Sequence, residues 1–177
     1  KLIDLVVESG VKNLTIICND GGYAGNGVGK MIANHQVKKL IASHIGTNPN
    51  IATLMNANEL QVELVPQGTL EERIRAYGAG LGGVLTQTGL NTLVQEGKQI
   101  IEVKGKSYLL EEALGADIAL IGGAVADRYG NLSYRETMRN FNPMMATAAE
   151  VVIVEPVEII EEMDPECVVT PHPFVDY

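Results

Sequence analysis

The chain is poor in the residues that build covalent frameworks and metal centres. Its two cysteines, Cys18 and Cys167, make neither a disulfide framework nor a thiolate metal site. Cys18 lies in an apolar run and reads as a small core residue. Three histidines stand far apart at positions 35, 44 and 172, with no Cys or Asp pattern beside them, so no zinc motif is present. Positive charge is scarce: 13 Lys and Arg against 22 Asp and Glu leave a net charge of −9. That balance argues against a nucleic-acid partner or an anionic membrane surface, both of which need a basic patch. No apolar run approaches the ~20 residues of a membrane helix, and no signal-peptide pattern occurs in these residues. There is no internal repeat and no low-complexity segment. The cysteine usage fits a reducing cytoplasm.

What is there reads as one globular domain over residues 1–177, with 46% apolar and 20% charged residues. Lys1–Gly10 has the pattern of a helix, with Leu2, Leu5 and Val6 as its apolar face. Leu14–Cys18 is a continuous apolar run, as in a strand buried on both faces, and Asn19-Asp20-Gly21-Gly22 closes it in a turn. The following GNGVGK lacks P-loop spacing and the Ser or Thr after Lys30, so a structural turn is the better reading. Val37–Ser43 is the next strand, and it places His44 at a strand's carboxyl end. His44 is open to two readings there, a hydrogen-bonded loop residue or a substrate-facing one. Ile51–Glu59 reads as a short helix. Further on come a β-hairpin around Lys104-Gly105-Lys106, strands at Asp117–Ile121, Gly130–Tyr134 and Val151–Val154, a helix over Asn142–Ala149, and a solvated acidic tail from Glu155 to Glu166. Strands alternating with helices predict an α/β fold: an open, mostly parallel sheet flanked by helices, with the hairpin as an excursion.

The most informative stretch is Leu60–Lys98. A strand from Leu60 to Val65 is stopped by Pro66-Gln67-Gly68, and Thr69 with Glu72 has the spacing of a capping box that starts a helix. Leu70, Ile74, Tyr77 and Leu81 follow as one apolar stripe, and Gly78, Gly80, Gly82 and Gly83 break the helix. Gln67 therefore falls at a strand's carboxyl end and beside a helix N-terminus. In open α/β sheets ligands bind there, and the helix dipole favours an anion.

Pro66-Gln67-Gly68-Thr69-Leu70, Glu72-Arg73-Ile74-Arg75-Ala76 and Gly78-Ala79-Gly80 together resemble the signature of the α subunit of family I CoA-transferases, the 3-oxoacid and acetate/acetoacetate type. The resemblance continues through Thr88-Gly89, Glu96-Gly97-Lys98, Gly130-Asn131 and Arg139-Asn140-Phe141-Asn142-Pro143, which covers nearly the whole chain. It implies the fold shared with sugar-phosphate isomerases. It also implies that a strand and a Gly-rich loop precede Lys1 in the full protein.

The activity it implies is CoA transfer between a short-chain acyl-CoA and a carboxylate such as acetate, acetoacetate or butyrate. The nucleophilic glutamate belongs to a β subunit, so the chain works in an αβ hetero-oligomer. CoA is a substrate, and no metal, flavin or other cofactor is implied. None of Glu111, Glu112 and Glu136 has a context that would expose and orient a nucleophile. By the resemblance Gln67 supports a carboxylate or oxyanion, the alternative being an amide that caps the helix. Gly68, Gly78 and Gly80 allow close backbone approach of substrate or serve as turns. Arg73 and Arg75 face different directions and read as salt-bridge partners. Asn142 before Pro143 reads as an N-cap. Two positions depart from the family pattern. Tyr77 stands where Gly is common, which would reshape the acyl pocket if the ring faces it, and Gly122 stands where Lys is common. A sugar-phosphate isomerase and a non-catalytic partner of the same fold are the alternatives.

Overall fold

A computed structural model describes residues 1–177. The chain falls into two compact units, Lys1–Leu70 and Glu71–Tyr177, with the boundary inside one helix.

The first unit is a parallel sheet with its crossover helices. Helix α1 (Leu2–Ser9) ends at Gly10, whose φ of 67° lets its N–H return to Val7 O. Strands β1 (Leu14–Asp20), β2 (Val37–His44) and β3 (Gln61–Leu64) pair in sequence order, all parallel. Helices α2 (Val28–Ala33) and α3 (Pro49–Asn56) make the crossovers that parallel neighbours require. Pro49 at the first turn of α3 and the Asn48 side chain, which accepts from Asn50 N–H, set where that helix begins. One core joins Ile32, Leu40, Ala42 and Ile51 to Ile3, Val6 and Val7 of α1. Leu40 and Ala42 enter it from one face of the sheet, because residues two apart along a strand share a face.

Helix α4 (Gln67–Gly78) leads into the second unit. Its stop is a Schellman motif: Gly80 N–H bonds Tyr77 O at 2.9 Å and Leu81 N–H bonds Ala76 O at 2.8 Å, with Gly80 at φ 69°. Strands β4 (Gly83–Thr86), β5 (Ile100–Val103) and β6 (Lys106–Glu112) form an antiparallel sheet in the order β4-β6-β5. The β5–β6 turn has Lys104 at φ 51° and Gly105 at φ 73°, the two left-handed residues of a type I′ hairpin. The third sheet pairs β7 (Ala116–Asp127) in parallel with β9 (Ala149–Ile160) and antiparallel with the short β8 (Leu132–Ser133). Between them lies α5 (Asn142–Met145), and Ala119, Ile121, Leu132, Tyr134 and Val152 form the core. The last residues run beside β9, with Tyr177 O accepting from Val154 N–H at 2.8 Å.

The parallel strands, helices and hairpin are those expected, although they form three small sheets and the hairpin belongs to one of them. Several local expectations are corrected. Helix α4 begins at Gln67, so Thr69 is buried inside its first turn and the capping box does not form; Glu72 bonds Arg75 instead, at 2.7 and 2.9 Å. Only the first half of its apolar stripe is core: Leu70 and Ile74 are buried, Tyr77 and Leu81 exposed. In α1 the packed face is Ile3, Val6 and Val7, and Leu5 is exposed. Strand β1 lies at a sheet edge and is half-buried along most of its length. The strand expected at 117–121 runs on to Asp127, through two glycines whose backbones pair with Glu155 and Pro156. Half of the expected acidic tail is thus strand. Asn142 is not a cap. It is the first residue of α5, and its side chain links Met138 O (3.0 Å) to Gly122 N–H (3.3 Å).

Candidate active site

The carboxyl ends of β1 and β2 and the start of α4 bring polar residues together within the first unit. Gln67 is exposed at the first position of α4, and its Nε2 donates to Asn19 Oδ1 at 2.9 Å. The Ser43 hydroxyl lies 2.8 Å from that same Oδ1 and 2.6 Å from Asn19 O. Asn19 is thereby held from one side and orients Gln67 on the other. A carboxamide nitrogen has two hydrogens, and the bond to Asn19 uses one. The second is left for a ligand oxygen. Beside it, nothing stands within 4 Å of where a Cβ on Gly68 would be, so the backbone there is open. The first N–H groups of a helix have no partner within it, which makes a helix start a place for an anion. An amide N–H and an open backbone are donors of the kind that an anionic or partly anionic oxygen accepts from.

His44 does not join this group. Successive strand residues point to opposite faces, so Asn19 and Ser43 share one face while Asp20 and His44 share the other. Asp20 and His44 are register partners, and Oδ2 lies 2.8 Å from Nδ1. Burial pushes the Asp20 carboxyl up, but bonds from His44, Gly22 N–H and Thr47 together outweigh it and hold it below the usual carboxylate range. Cys18 lies beneath this rim; burial, with the Asp20 charge, pushes its thiol up to about 12.

The remaining expected site residues lie in the second unit and have structural work there. A Cβ on Gly78 would meet Thr147 Oγ1 at 2.0 Å, and Gly80 supplies the left-handed helix stop. The Tyr77 ring lies against Gly115, where a Cβ would sit 2.3 Å from it. Glu111 is buried with Lys98 Nζ at 2.6 Å, and Glu112 O accepts from Arg73 Nε at 2.8 Å. Glu136 sits in a 3₁₀ turn at φ 50°. No group of three His, Cys, Asp or Glu side chains could hold a metal ion, and no helix is long and apolar enough to cross a membrane.

Sequence reasoning missed Asn19, Asp20 and Ser43 as members of the rim. The signal was present: two apolar strands that each end in a polar pair, Asn19-Asp20 and Ser43-His44. Aligning their ends as parallel neighbours brings the pairs side by side.

A family model described as "Coenzyme A transferase" matches residues 1–177. The chain belongs to the coenzyme A transferase family. This transferase is 54% identical to the acetoacetyl-CoA:acetate/butyrate CoA transferase alpha subunit of Clostridium acetobutylicum, over all of this chain and 82% of that protein. It is 50% identical to the acetate CoA-transferase subunit alpha of Escherichia coli, again over all of this chain and 81% of that protein. Among solved structures, an acyl-CoA transferase from Escherichia coli in a thioester complex with CoA superposes with TM-score 0.90 at 25% identity, covering 99% of this chain and 40% of that one. Glutaconate coenzyme A-transferase from Acidaminococcus fermentans, at 18% identity and TM-score 0.79, covers 97% of this chain and 62% of its own, and shares the fold.

Proposed function

We propose that this chain is the α subunit of a CoA-transferase that moves CoA between a short-chain acyl-CoA and a carboxylate, with acetate, acetoacetate and butyrate as the acids. It works in an αβ hetero-oligomer in the cytoplasm, and CoA is a substrate, not a resident cofactor. The β subunit supplies the glutamate nucleophile, whose carboxylate oxygen attacks the thioester carbonyl and expels CoA thiolate. The thiolate then attacks the glutamyl carbonyl of the mixed anhydride and releases the first acid. The second acid reverses both steps. Each attack places negative charge on a carbonyl oxygen, and a fixed N–H donor aimed at it lowers the barrier.

The observation that carries this reading is Gln67, an exposed amide oriented by Asn19 with one donor left over, beside an open Gly68 backbone. Gln67 and Gly68 are assigned to the reacting carboxyl group. Gly78, Gly80 and Tyr77 are assigned to the fold, since packing and backbone geometry account for each. A β-subunit nucleophile agrees with the local glutamates, because Glu111 is buried under Lys98. Neither an isomerase nor a non-catalytic partner has an observation in its favour; Tyr77, the support for the second, packs on Gly115.

The test is CoA transfer from acetoacetyl-CoA to acetate or butyrate by this chain alone, by its β subunit alone and by the two together. Activity only in the mixture, lost in Gln67→Ala, supports the reading. Equal activity from this chain alone overturns it.

A further inference from the structure

The first unit holds a second polar arrangement that the transfer steps above do not use. Three groups fix the Asp20 carboxylate. His44 Nδ1 lies 2.8 Å from Oδ2, the Gly22 N–H donates to Oδ1 at 2.7 Å, and the Thr47 hydroxyl lies 3.1 Å from Oδ1 and 2.9 Å from Gly22 O. An ionised carboxylate only accepts, so Nδ1 of His44 carries a hydrogen. Nε2 is then the one ring nitrogen left to meet anything else. The imidazole is well exposed, with 57% of its side-chain surface accessible.

Gly46 adds an independent observation. A Cβ there would stand 3.0 Å from Nε2 and 3.3 Å from Cε1 of His44. Gly46 is not among the residues with positive φ, so the turn itself does not demand glycine. The missing side chain leaves the flank of Nε2 uncovered. A carboxylate that orients one nitrogen and a glycine that clears the other present Nε2 at the carboxyl rim, where open α/β sheets bind ligands; Nε2 accepts in the neutral ring and donates in the imidazolium paired with the Asp20 carboxylate. Helix α3, which follows, carries no ionisable side chain to compete for it.

We propose that His44 contacts substrate through Nε2, with Asp20 as its positioning residue, and that it donates to a carbonyl oxygen of the acyl-CoA other than the thioester carbonyl. This inference rests on the CoA-transferase reading above. Two carbonyl sources have the right chemistry: the 3-oxo oxygen of an acetoacetyl chain, and an amide of the pantetheine arm. When the ring carries both protons it donates from Nε2 while Nδ1–H stays on Asp20. The first source would make His44 a selector between acetoacetate and butyrate, acids of equal chain length that differ in that oxygen. A site that hydrogen-bonds a substrate group discriminates against the analogue lacking it.

The experiment uses the reconstituted αβ complex and compares kcat/KM for acetoacetyl-CoA, butyryl-CoA and acetyl-CoA. Wild-type complex that transfers from none of them overturns the underlying reading, not this one. His44→Leu removes the donor; Gly46→Ala keeps both residues of the dyad and sets a methyl against Nε2. Each is expected to lower kcat/KM about tenfold, and His44→Gln, which keeps an N–H, is expected to recover part of the loss. A loss confined to acetoacetyl-CoA assigns the 3-oxo oxygen. An equal loss on all three esters, with the KM of the acids unchanged, assigns the pantetheine arm. No loss in either His44→Leu or Gly46→Ala, with melting temperature unchanged, overturns the proposal. For Asp20→Asn the readout is the ¹⁵N resonances of the His44 ring alongside activity: both are expected to change. Lost activity with unchanged ring resonances would remove Asp20 from the positioning role.

Discussion

Gln67 donates its side-chain N–H to Oδ1 of Asn19, 48 residues earlier, at 2.9 Å. One residue acts through the other, and that order fixes how their substitutions combine. Gln67→Ala removes the donor and is expected to lower kcat about 10² to 10³-fold, with no change in melting temperature because the side chain is exposed. Asn19→Ala leaves Gln67 in place but unoriented, for a loss of about tenfold. The double variant should be no slower than Gln67→Ala alone, since coupled residues do not add. Steady-state rates of the four complexes check this, and strict additivity would separate the two residues.

The glycines at the two ends of α4 should respond oppositely to alanine. At Gly68 nothing lies within 4 Å of the new Cβ. Helix propensity then favours alanine by up to about 1 kcal/mol, while transfer activity falls because the backbone is no longer open. At Gly78 the new Cβ would meet Thr147 Oγ1 at 2.0 Å and Thr147 O at 2.9 Å. That overpacking, about 1–3 kcal/mol, exceeds the propensity gain, so Gly78→Ala should be net destabilised. Denaturant midpoints of the two variants decide it.

Lys98 neutralises a carboxylate that has no access to water. Glu111 is 2% exposed, and its Oε1 lies 2.6 Å from Lys98 Nζ. Lys98→Met would strand that charge, with an expected loss of about 3 kcal/mol. Glu111→Gln keeps an oxygen for Lys98 to donate to and should cost less. It should also leave CoA transfer intact, which separates Glu111 from the nucleophile. Loss of transfer without loss of stability in Glu111→Gln would reverse that assignment.

Asp127 ties the loop after β7 together. It accepts from Tyr129 N–H (3.0 Å), Asn131 N–H (2.9 Å), Asn131 Nδ2 (2.8 Å) and Met163 N–H (3.3 Å). Burial pushes its carboxyl up, and these bonds outweigh burial to hold it below the usual value. A carboxyl lower in the folded state than in the unfolded one stabilises fully above the ordinary value of about 3.9. That contribution is lost as pH falls through the folded value. Melting curves carried from pH 7 down to about pH 2 should show the loss, beginning near the ordinary value of about 3.9. Asp127→Asn should melt lower at pH 7, since its NH₂ faces other donors, and should show a shallower fall in acid.

The alternation of strand and helix was legible because apolar runs and punctuating Gly and Pro residues carry it directly. The hairpin at Lys104-Gly105 was equally plain, since few residue pairs tolerate two left-handed positions. Strand ends were not legible. Gly122-Gly123 reads locally as a break, yet β7 passes through it because its backbone is bonded to β9, a partner 33 residues away. The same pairing converts half of an acidic tail into strand. The position of Gln67 was legible, between a strand and a helix. Asn19 and Ser43 were not, because their role depends on the register of two parallel strands, which no local pattern encodes. His44 was legible as the residue at a strand's carboxyl end; its hydrogen bond to Asp20 was not.

The contrast between the two thiols makes the unaltered chain a ready substrate for site-directed labelling. Cys18 is half-buried, and with its thiol pushed up to about 12 almost none of it is thiolate at neutral pH. Cys167 is exposed on a short turn. A maleimide dye should therefore settle on position 167 alone, giving a fluorescent handle on the second unit.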